Sequence, residues 1–379
     1  MTIGYLVKTP LSANVHASPI VGDTVLYSTL EPDCAFYRAN ASTGETIWRH
    51  PVPRRDTADP SNSRCGLRAC ARVSSDEHSV HFGTDNNSFV ALAADTGALL
   101  WSRSVPYSVC IDPAKPAGQQ ERPCEVYSTA LLAGGFLRIQ GSEDGQVRAF
   151  DATTGAMEWS VAIGEQANGS PVVNPTNSSE VIIGADDGFL HCLATATGRG
   201  CGRLATCGSM DTLPSVDVMA TGRLFYTCFR PAADVGANHR SGWVGAVDMH
   251  TFTHQWTAGE SCGIPLFTPA HPDVVFVGYM NGSIAALSAA RGEPVWMTNS
   301  GGGEFFGSLV FEPRRGLLYG VHVTGILIAV DPYVPATVPS ESHVPGRSCK
   351  GMDLLYAIPE VAVWNVVRAR MKVQNVQRV

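Results

Sequence analysis

Short runs of alternating apolar and polar residues recur along this chain, and each run follows a turn that contains glycine. Gly141-Ser142-Glu143-Asp144-Gly145 leads into residues 146–150, and Gly184-Ala185-Asp186-Asp187-Gly188 leads into residues 189–193. Asp-Gly between apolar runs favours a hairpin turn, because glycine accepts positive φ without a Cβ clash. A hydrophobic period of two then predicts a β-strand after each turn.

An eleven-residue pattern that ends in tryptophan follows these turns and repeats along the chain. Residues 149–159 read A-x-D-x-x-T-G-x-x-x-W, and residues 91–101 and 38–48 are close copies. Weaker copies occupy 286–296, 246–256 and 192–202, a seventh begins at residue 329, and Gly202 replaces tryptophan in the copy at 192–202. The Asp position falls at residues 40, 93, 151, 194, 248, 288 and 331. A period of about 40 residues with longer steps indicates one supersecondary unit with variable loops.

Each unit is predicted to contain four short strands. An apolar run opened by a small residue and proline, such as Ser170-Pro171-Val172-Val173, precedes a second run such as Val181-Ile182-Ile183, and the two strands of the repeat follow. Four-stranded sheets repeated at this period form a β-propeller. We therefore expect an all-β fold, a β-propeller of four-stranded antiparallel blades, with seven blades and eight as the alternative. Residues 1–338 are assigned to the propeller, and 339–379 to a C-terminal extension that packs on it or extends it.

The last unit needs an outer strand from elsewhere in the chain. Its repeat ends at Asp331-Pro332-Tyr333-Val334-Pro335, which is too rich in proline to continue as an interior strand. Residues 5–8 precede the first unit in repeat register, and residues 367–374 alternate strictly. Either segment could pair with the open edge, and the register favours the N-terminal one.

The recurring tryptophan is predicted to be a packing wedge between neighbouring sheets. The five tryptophans assigned this structural role are Trp48, Trp101, Trp159, Trp256 and Trp296.

Composition narrows the function classes. The chain has 379 residues, a formal net charge of −7 and 16% charged residues, so nothing indicates a nucleic-acid groove. No apolar run is long enough for a transmembrane helix, and Met1 to Ala17 predicts no secretory signal. We expect a monomer with a hydrophobic core.

The eleven cysteines bear on the compartment. Cys110 and Cys124 bracket a proline-rich insert and are predicted to form a disulfide with Cα atoms within about 7 Å. Cys201 and Cys207 are also close in sequence. Disulfides need an oxidising compartment, which favours an exported protein over a cytosolic one rich in buried thiols. The odd number leaves at least one cysteine unpaired within the chain.

The motifs of common enzyme classes do not occur. His78 and His81, and His250 and His254, lie in predicted strands and turns, where their spacing does not converge on zinc. The loop at Gly301-Gly302-Gly303-Glu304 lacks the Lys-Ser/Thr of a phosphate-binding loop. We therefore expect no metal ligand and no catalytic residue from motifs alone.

The copies AFDATTGAMEW, ALAADTGALLW and RANASTGETIW resemble the tryptophan-docking repeat of the pyrroloquinoline-quinone (PQQ) β-propeller superfamily. The resemblance covers about residues 5–331 and implies the propeller fold. The superfamily includes dehydrogenases, an outer-membrane assembly lipoprotein and propellers attached to acyl-adenylating enzymes. In the dehydrogenases the pattern adds adjacent cysteines under the quinone, a calcium held by Glu and Asn, and a catalytic Asp. This chain has no Cys-Cys pair, so the resemblance assigns no catalytic residue here.

These observations favour a non-catalytic binding or scaffold propeller with no cofactor. Its protein or peptide partner is expected at the mouth of the central channel, on the loops that enter each first strand. The candidate surface consists of His16, Arg72, Tyr127, Asn168, Asp211, Phe267, Glu304, Phe305 and Phe306. Two alternatives remain: a dehydrogenase that uses PQQ and calcium, and a propeller appendage of a larger, for example acyl-adenylating, enzyme.

Overall fold

The protein is a chain of antiparallel β-sheets, here described from a computed structural model. The structure describes residues 15–21, 24–29, 33–40, 43, 45–52, 71–85, 88–104, 109–111, 121–134, 137–210, 215–216, 221–229, 242–259, 263–279, 283–299, 309–312, 316–321 and 327–332. Helices are absent from these ranges, so none of them holds a helix able to cross a membrane. The all-β prediction is therefore confirmed.

The strands of each sheet follow one another in sequence. The first sheet contains β1 (Val15–Val21), β2 (Thr24–Thr29), β3 (Ala35–Asn40) and β4 (Thr46–Pro51). The second contains β5 (Arg72–Val73), β6 (Ser79–Gly83), β7 (Ser88–Ala93) and β8 (Leu99–Ser104). A hairpin of β9 (Val109–Ile111) and β10 (Glu121–Pro123) precedes the third sheet. That sheet contains β11 (Leu131–Ala133), β12 (Leu137–Gly141), β13 (Gln146–Asp151) and β14 (Met157–Ala162).

The same order continues through the rest of the described chain. The fourth sheet contains β15 (Val172–Asn174), β16 (Asn177–Gly184), β17 (Phe189–Ala194) and β18 (Gly200–Ala205). The fifth contains β19 (Ser215–Val216), β20 (Arg223–Phe229), β21 (Gly242–Asp248) and β22 (Thr253–Gly259). The sixth contains β23 (Leu266–Phe267), β24 (Val274–Gly278), β25 (Ser283–Ser288) and β26 (Pro294–Asn299). The seventh shows three strands, β27 (Val310–Glu312), β28 (Leu317–Val321) and β29 (Leu327–Val330).

The predicted four-stranded unit is confirmed. Strands β13, β17 and β25 each end at the Asp position of the repeat, and a short turn leads to the strand that carries tryptophan or its replacement. The segments considered for the missing outer strand of the seventh sheet, residues 5–8 and 367–374, lie outside the described ranges. The extension at 339–379 lies outside them too. The number of blades stays a prediction.

The alanine of the repeat makes room for the tryptophan. Ala91 lies directly opposite Trp101 in the β7–β8 pair, Ala246 opposite Trp256, and Ala286 opposite Trp296. In each pair the register shifts immediately after the alanine, as a β-bulge or irregularity does. A small residue at this point allows the large ring of the next strand to lie over it.

The described chain divides into two compact units. The first contains the described residues up to 144 and residues 148–158, and the second contains 145–147 and the described residues from 159 onward. Within each unit, the hydrophobic core lies between successive sheets. In the first, Phe36 and Trp48 pack with Phe82 and Leu92, and in the second Phe225 and Trp256 belong to one such cluster.

Four of the five docked tryptophans also donate the indole N–H to a backbone carbonyl of the following sheet. The bonds run from Trp48 to Ala94 (2.9 Å), Trp101 to Ala152 (2.8 Å), Trp159 to Thr195 (3.0 Å) and Trp256 to Ala289 (3.0 Å). Trp296 is buried against Phe276, with ring centroids 5.9 Å apart. The acceptor in the four bonds is the residue after the Asp position, so the repeat supplies both donor and acceptor.

Candidate functional site

The structure describes four side chains of the candidate binding surface: Arg72, Tyr127, Asn168 and Phe267. His16 is placed by its backbone in β1, opposite Ser28. The remaining members lie outside the described residues, namely Asp211, Glu304, Phe305 and Phe306. That these nine residues together contact a ligand stays a prediction.

Arg72 and Tyr127 belong to the first unit. Arg72 begins β5 opposite His81, is half-buried, and donates from Nε to the Ala130 carbonyl at 3.3 Å. Tyr127 is half-buried on the segment that enters β11. A half-buried arginine and tyrosine on entering segments can offer a guanidinium and a phenol to a partner while their stems stay packed.

Asn168 and Phe267 belong to the second unit and are both buried. Asn168 donates from Nδ2 to Gln166 Oε1 at 2.9 Å, two residues away on the loop that enters β15. Phe267 lies in the core cluster and stacks on Phe225, with centroids 5.9 Å apart and an interplanar angle of 19°. Phe267 therefore shapes the first strand of its sheet from inside the core.

The entering loops lie beside the turns between the second and third strands; the sequence predicts these turns, but their proximity to the entering loops was missed. Glu143 donates its N–H to the Glu125 carbonyl at 3.1 Å, and Asp186 donates to Gln166 at 2.9 Å. In the fifth sheet the Phe229 N–H bonds to the Ser209 carbonyl at 2.8 Å. A Gly-x-Asp/Glu turn signal could have identified these neighbours in three units, because it occurs at Gly83, Gly141 and Gly184 at the same distance from the repeat.

Carboxylates on these turns are engaged by groups of their own sheet. Glu143 Oε2 accepts the N–H of Glu125 at 2.8 Å. Asp144 accepts two bonds from the guanidinium of Arg148 at 3.0 and 2.5 Å, and both side chains are nearly buried. Asp187 lies 2.9 Å from His191 Nε2 and accepts the Phe189 N–H at 3.0 Å. A bidentate Arg–carboxylate pair holds its oxygens in a fixed direction, so these acids orient turns.

A buried arginine was also missed from the sequence, since arginine in an alternating strand is typical of a solvated face. Arg138 of β12 is fully buried and donates to the carbonyls of Val90 (3.0 Å) and Phe82 (2.6 Å). Its guanidinium carbon lies 5.1 Å from the centroid of Trp101, which favours a cation–π contact. Burial lowers the pKa of Arg138 to about 9, so the side chain keeps its charge at neutral pH.

The Arg138 charge and the surrounding burial also act on a neighbouring histidine. Burial, followed by the nearby charge of Arg138, lowers the pKa of His81 to about 3. His81 is therefore neutral at physiological pH, with Nε2 2.8 Å from the Ser79 hydroxyl and its ring 5.8 Å from that of Trp101. Arg138 and His81 together stabilise the packing between the second and third sheets of the first unit.

Among the described residues, no three carboxylates converge on one point as calcium ligands, and Asp211 and Glu304 lie outside those residues. Calcium takes six to eight oxygen ligands. In the part of the chain that the structure describes, the group of three metal-donor side chains is Glu180, Cys192 and Cys201. Cys192 and Cys201 are bonded to each other as a disulfide, which leaves a single carboxylate. The sequence also has no adjacent cysteines to lie under a quinone.

Disulfides recur in the described chain. Cys110 and Cys124, the pair singled out from the sequence, are bonded with Cα atoms 5.0 Å apart. Cys201 pairs with Cys192 and Cys207 with Cys228, while Cys34 is also disulfide-bonded. Proximity in sequence therefore did not pair Cys201 with Cys207, because strand register carries each cysteine to a different neighbour. Several disulfides are typical of an oxidising compartment.

Comparison with known proteins supports the repeat. Residues 35–203 match the family model described as outer membrane protein assembly factor BamB. The quinone-dependent alcohol dehydrogenase, dehydrogenase subunit, of Gluconacetobacter polyoxogenes is 33% identical over 151 residues, which cover 38% of this chain and 19% of that protein. The chain carries the PQQ-like repeat of the quinoprotein-type β-propeller superfamily. It spans only about a fifth of the length of the curated relatives it matches.

Solved structures show the same fold at low sequence identity. BamB from Moraxella catarrhalis superposes with a TM-score of 0.56 and 17% identity, covering 79% of each chain. Quinohemoprotein alcohol dehydrogenase from Comamonas testosteroni gives a TM-score of 0.60 and 14% identity, over 79% of this chain and 61% of that one. The chain is therefore a β-propeller of four-stranded antiparallel blades, as the repeat predicted.

Proposed function

We propose that this protein is a non-catalytic binding propeller that holds a protein or peptide partner on its entering loops and adjacent turns. The observation that carries the proposal is the internal use of the turn carboxylates. Glu143 bonds to the Glu125 amide, Asp144 to Arg148, and Asp187 to His191. Carboxylates that are hydrogen-bonded within the protein in this way stabilise the turns and do not converge as ligands of a hard cation.

Three further observations support this role. The matched family model is named for an assembly factor, and the structural match to such a protein covers equal shares of both chains. The disulfides suit a protein that works after export to an oxidising compartment. A rigid propeller with half-buried Arg72 and Tyr127 on its entering segments suits a peptide or protein edge.

A PQQ- and calcium-dependent dehydrogenase is the second candidate, favoured by the 33% identity to a quinone-dependent alcohol dehydrogenase subunit. Such chemistry needs a Lewis acid at the quinone and a carboxylate placed to take a substrate proton. Asp211 and Glu304 are the chief acids that the sequence offers on entering loops. Both lie outside the described residues.

The two candidates are separated by reconstitution. The purified full chain is incubated with PQQ and calcium, and its absorption spectrum and dye-linked alcohol oxidation are recorded. A binding propeller leaves the quinone spectrum unchanged and reduces no dye. Quinone binding at micromolar affinity, with turnover abolished by Asp211→Asn or Glu304→Gln, would establish the dehydrogenase instead.

Site-specific photo-crosslinking tests the binding role directly. A photoreactive residue is placed at Tyr127 on the entering segment, and at Met157 on an outer strand as the matched control. In cells that express the full chain, we expect a discrete protein adduct from position 127 and none from position 157. Adducts confined to position 157, or absent from both positions, argue against a partner on the entering loops.

A further inference from the structure

The fourth sheet departs from the repeat at three positions that lie together. Cys192 stands where the copies that begin at residues 91, 149, 246 and 286 have alanine and the copy at 38–48 has arginine. It lies opposite Gly202, which stands where those five copies have tryptophan. Cys201 precedes Gly202 and is bonded to Cys192, with Cα atoms 5.1 Å apart. The sheet has therefore lost its tryptophan and gained two sulfur atoms at the same place.

Glu180 adds an oxygen donor to the two sulfurs. Ile182 of β16 lies directly opposite Cys192 of β17, and Glu180 is two residues from Ile182 on the same strand. Residues two apart on a strand share a face, so Glu180 and Cys192 lie on the same side of the sheet. A carboxylate oxygen of Glu180 and the sulfurs of Cys192 and Cys201 all lie within 4.8 Å of one another.

The Glu180 carboxylate is oriented by one buried neighbour. Asn174 donates from Nδ2 to Glu180 Oε2 at 2.8 Å and is itself buried. Its Oδ1 accepts the N–H of Thr176 at 3.0 Å and the hydroxyl of Thr176 at 2.9 Å. Hydrogen bonds of this kind from outer neighbours orient the carboxylates that bind metals. The second oxygen of Glu180 remains for a further ligand contact.

Two thiolates and one carboxylate form a ligand set that zinc favours. Zinc binds thiolate sulfur at about 2.3 Å and carboxylate oxygen at about 2.0–2.2 Å, with four ligands in a tetrahedron. Two sulfurs on one zinc are separated by at most about 4.6 Å, so an opened S–S bond leaves both within reach of the ion. Cys201 is exposed on β18, the last strand in its sheet, which gives an ion and a reductant access.

We propose that Cys192, Cys201 and Glu180 form a zinc site that opens when their disulfide is reduced. Two molecules of a thiol reductant supply two electrons and two protons to the S–S bond and leave as one disulfide. Cys192 and Cys201 become thiols. Zinc then binds both thiolates and Glu180, releases the two thiol protons to solvent, and takes water as its fourth ligand. The disulfide and the zinc exclude each other.

Metal titration of the full chain tests this site. Oxidised and phosphine-reduced protein are titrated without oxygen, with Zn²⁺ against a chromophoric chelator and with Co²⁺ for its thiolate charge-transfer band. Reduced wild type is expected to bind one equivalent more than reduced Cys192→Ser/Cys201→Ser. Glu180→Gln should lower the affinity for the additional zinc ion at least tenfold, and Asn174→Ala should lower it by about 10- to 100-fold.

The control variant is Cys207→Ser/Cys228→Ser, which removes another disulfide of the same unit and should keep the extra equivalent. Circular dichroism checks each fold. If the Cys192→Ser/Cys201→Ser protein does not fold, Cys201→Ser alone replaces it, because Cys201 is exposed. Equal zinc binding by oxidised and reduced wild type, by the serine variant, or by Glu180→Gln would overturn the proposal.

Discussion

Gly202 stands at a position where the repeat has the large tryptophan, and Phe252 stands at a position where the repeat has glycine. Elsewhere in the second compact unit, a tryptophan ring of one sheet lies against a glycine with positive φ in the next sheet, as the Trp159 ring does at Gly198. Phe252 occupies that glycine position with φ 52°, and Gly202 occupies the tryptophan position. A Cβ on Gly202 would lie 3.7 Å from the Phe252 ring, so the ring between these two sheets comes from the opposite side.

This exchange predicts coupled mutations. Gly202→Trp should destabilise the protein because the new ring meets Phe252, and Phe252→Gly should destabilise it because no ring then fills the gap. The double variant restores the arrangement of the other sheets. We expect a favourable coupling energy of about 0.5–3 kcal/mol from the urea unfolding of the four proteins. Simple additivity of the two single effects would contradict the finding.

The docked tryptophans are expected to dominate the packing between sheets. Trp101→Ala should lower the free energy of unfolding by about 3–5 kcal/mol, because a buried ring and its bond to Ala152 are both lost. Trp159→Ala should cost less, since that ring is half-buried. Met157→Ala is the control: this side chain is 62% exposed, and its loss should change stability by no more than about 0.5 kcal/mol. A wild-type denaturation midpoint for Trp101→Ala would refute the docking role.

The glycine under each tryptophan ring is expected to be needed for space as well as for its backbone angle. A Cβ on Gly155 (φ 68°) would lie 2.6 Å from Cδ2 of Trp101. Gly134 (φ 61°) offers the matched control, because a Cβ there meets nothing within 4 Å. Gly134→Ala should cost about 1–2 kcal/mol from the left-handed backbone alone, and Gly155→Ala distinctly more. Equal losses in thermal or urea unfolding would show that the ring moves aside freely.

Acid should destabilise the protein through His81. The pKa of His81 is lowered to about 3 by burial and then by Arg138, whereas in the unfolded chain it is about 6.5. Between these values the unfolded state binds the extra proton, so this stability is complete above about pH 6.5 and is lost as pH falls toward 3. The loss is limited to about 1.4 kcal/mol per pH unit.

Urea unfolding at a series of pH values checks this prediction. His81→Gln should flatten the slope between about pH 6.5 and 3 relative to the wild type. A His81→Gln protein with the full wild-type slope would assign the acid sensitivity to other groups.

Local chemistry in the sequence predicted the strands and turns well. The third strand of a unit ends at the repeat's Asp position, as β13 does at Asp151, because that side chain bonds the N–H groups of Thr153 and Thr154 in the turn. Gly155 then supplies the positive φ that the turn needs. These contacts span five residues, so they can be predicted without knowledge of the tertiary structure. The binding surface is different: the sequence predicts Phe267 beside an entering loop, yet its ring packs on Phe225 in the core.

The sequence by itself determined the repeat, the four-stranded unit and the tryptophan positions, since each depends on spacing and on short-range backbone preference. The tertiary structure decided which polar groups are buried and which distant side chains meet. Arg138 is indistinguishable in sequence from a solvated strand residue until Phe82 and Val90 supply carbonyls from the neighbouring sheet. Glu180, Cys192 and Cys201 lie on three strands, and only the register of β16, β17 and β18 brings their donor atoms within 4.8 Å. Register is set by how separate strands pair, and burial by how sheets distant in the chain pack together, and local sequence patterns encode neither.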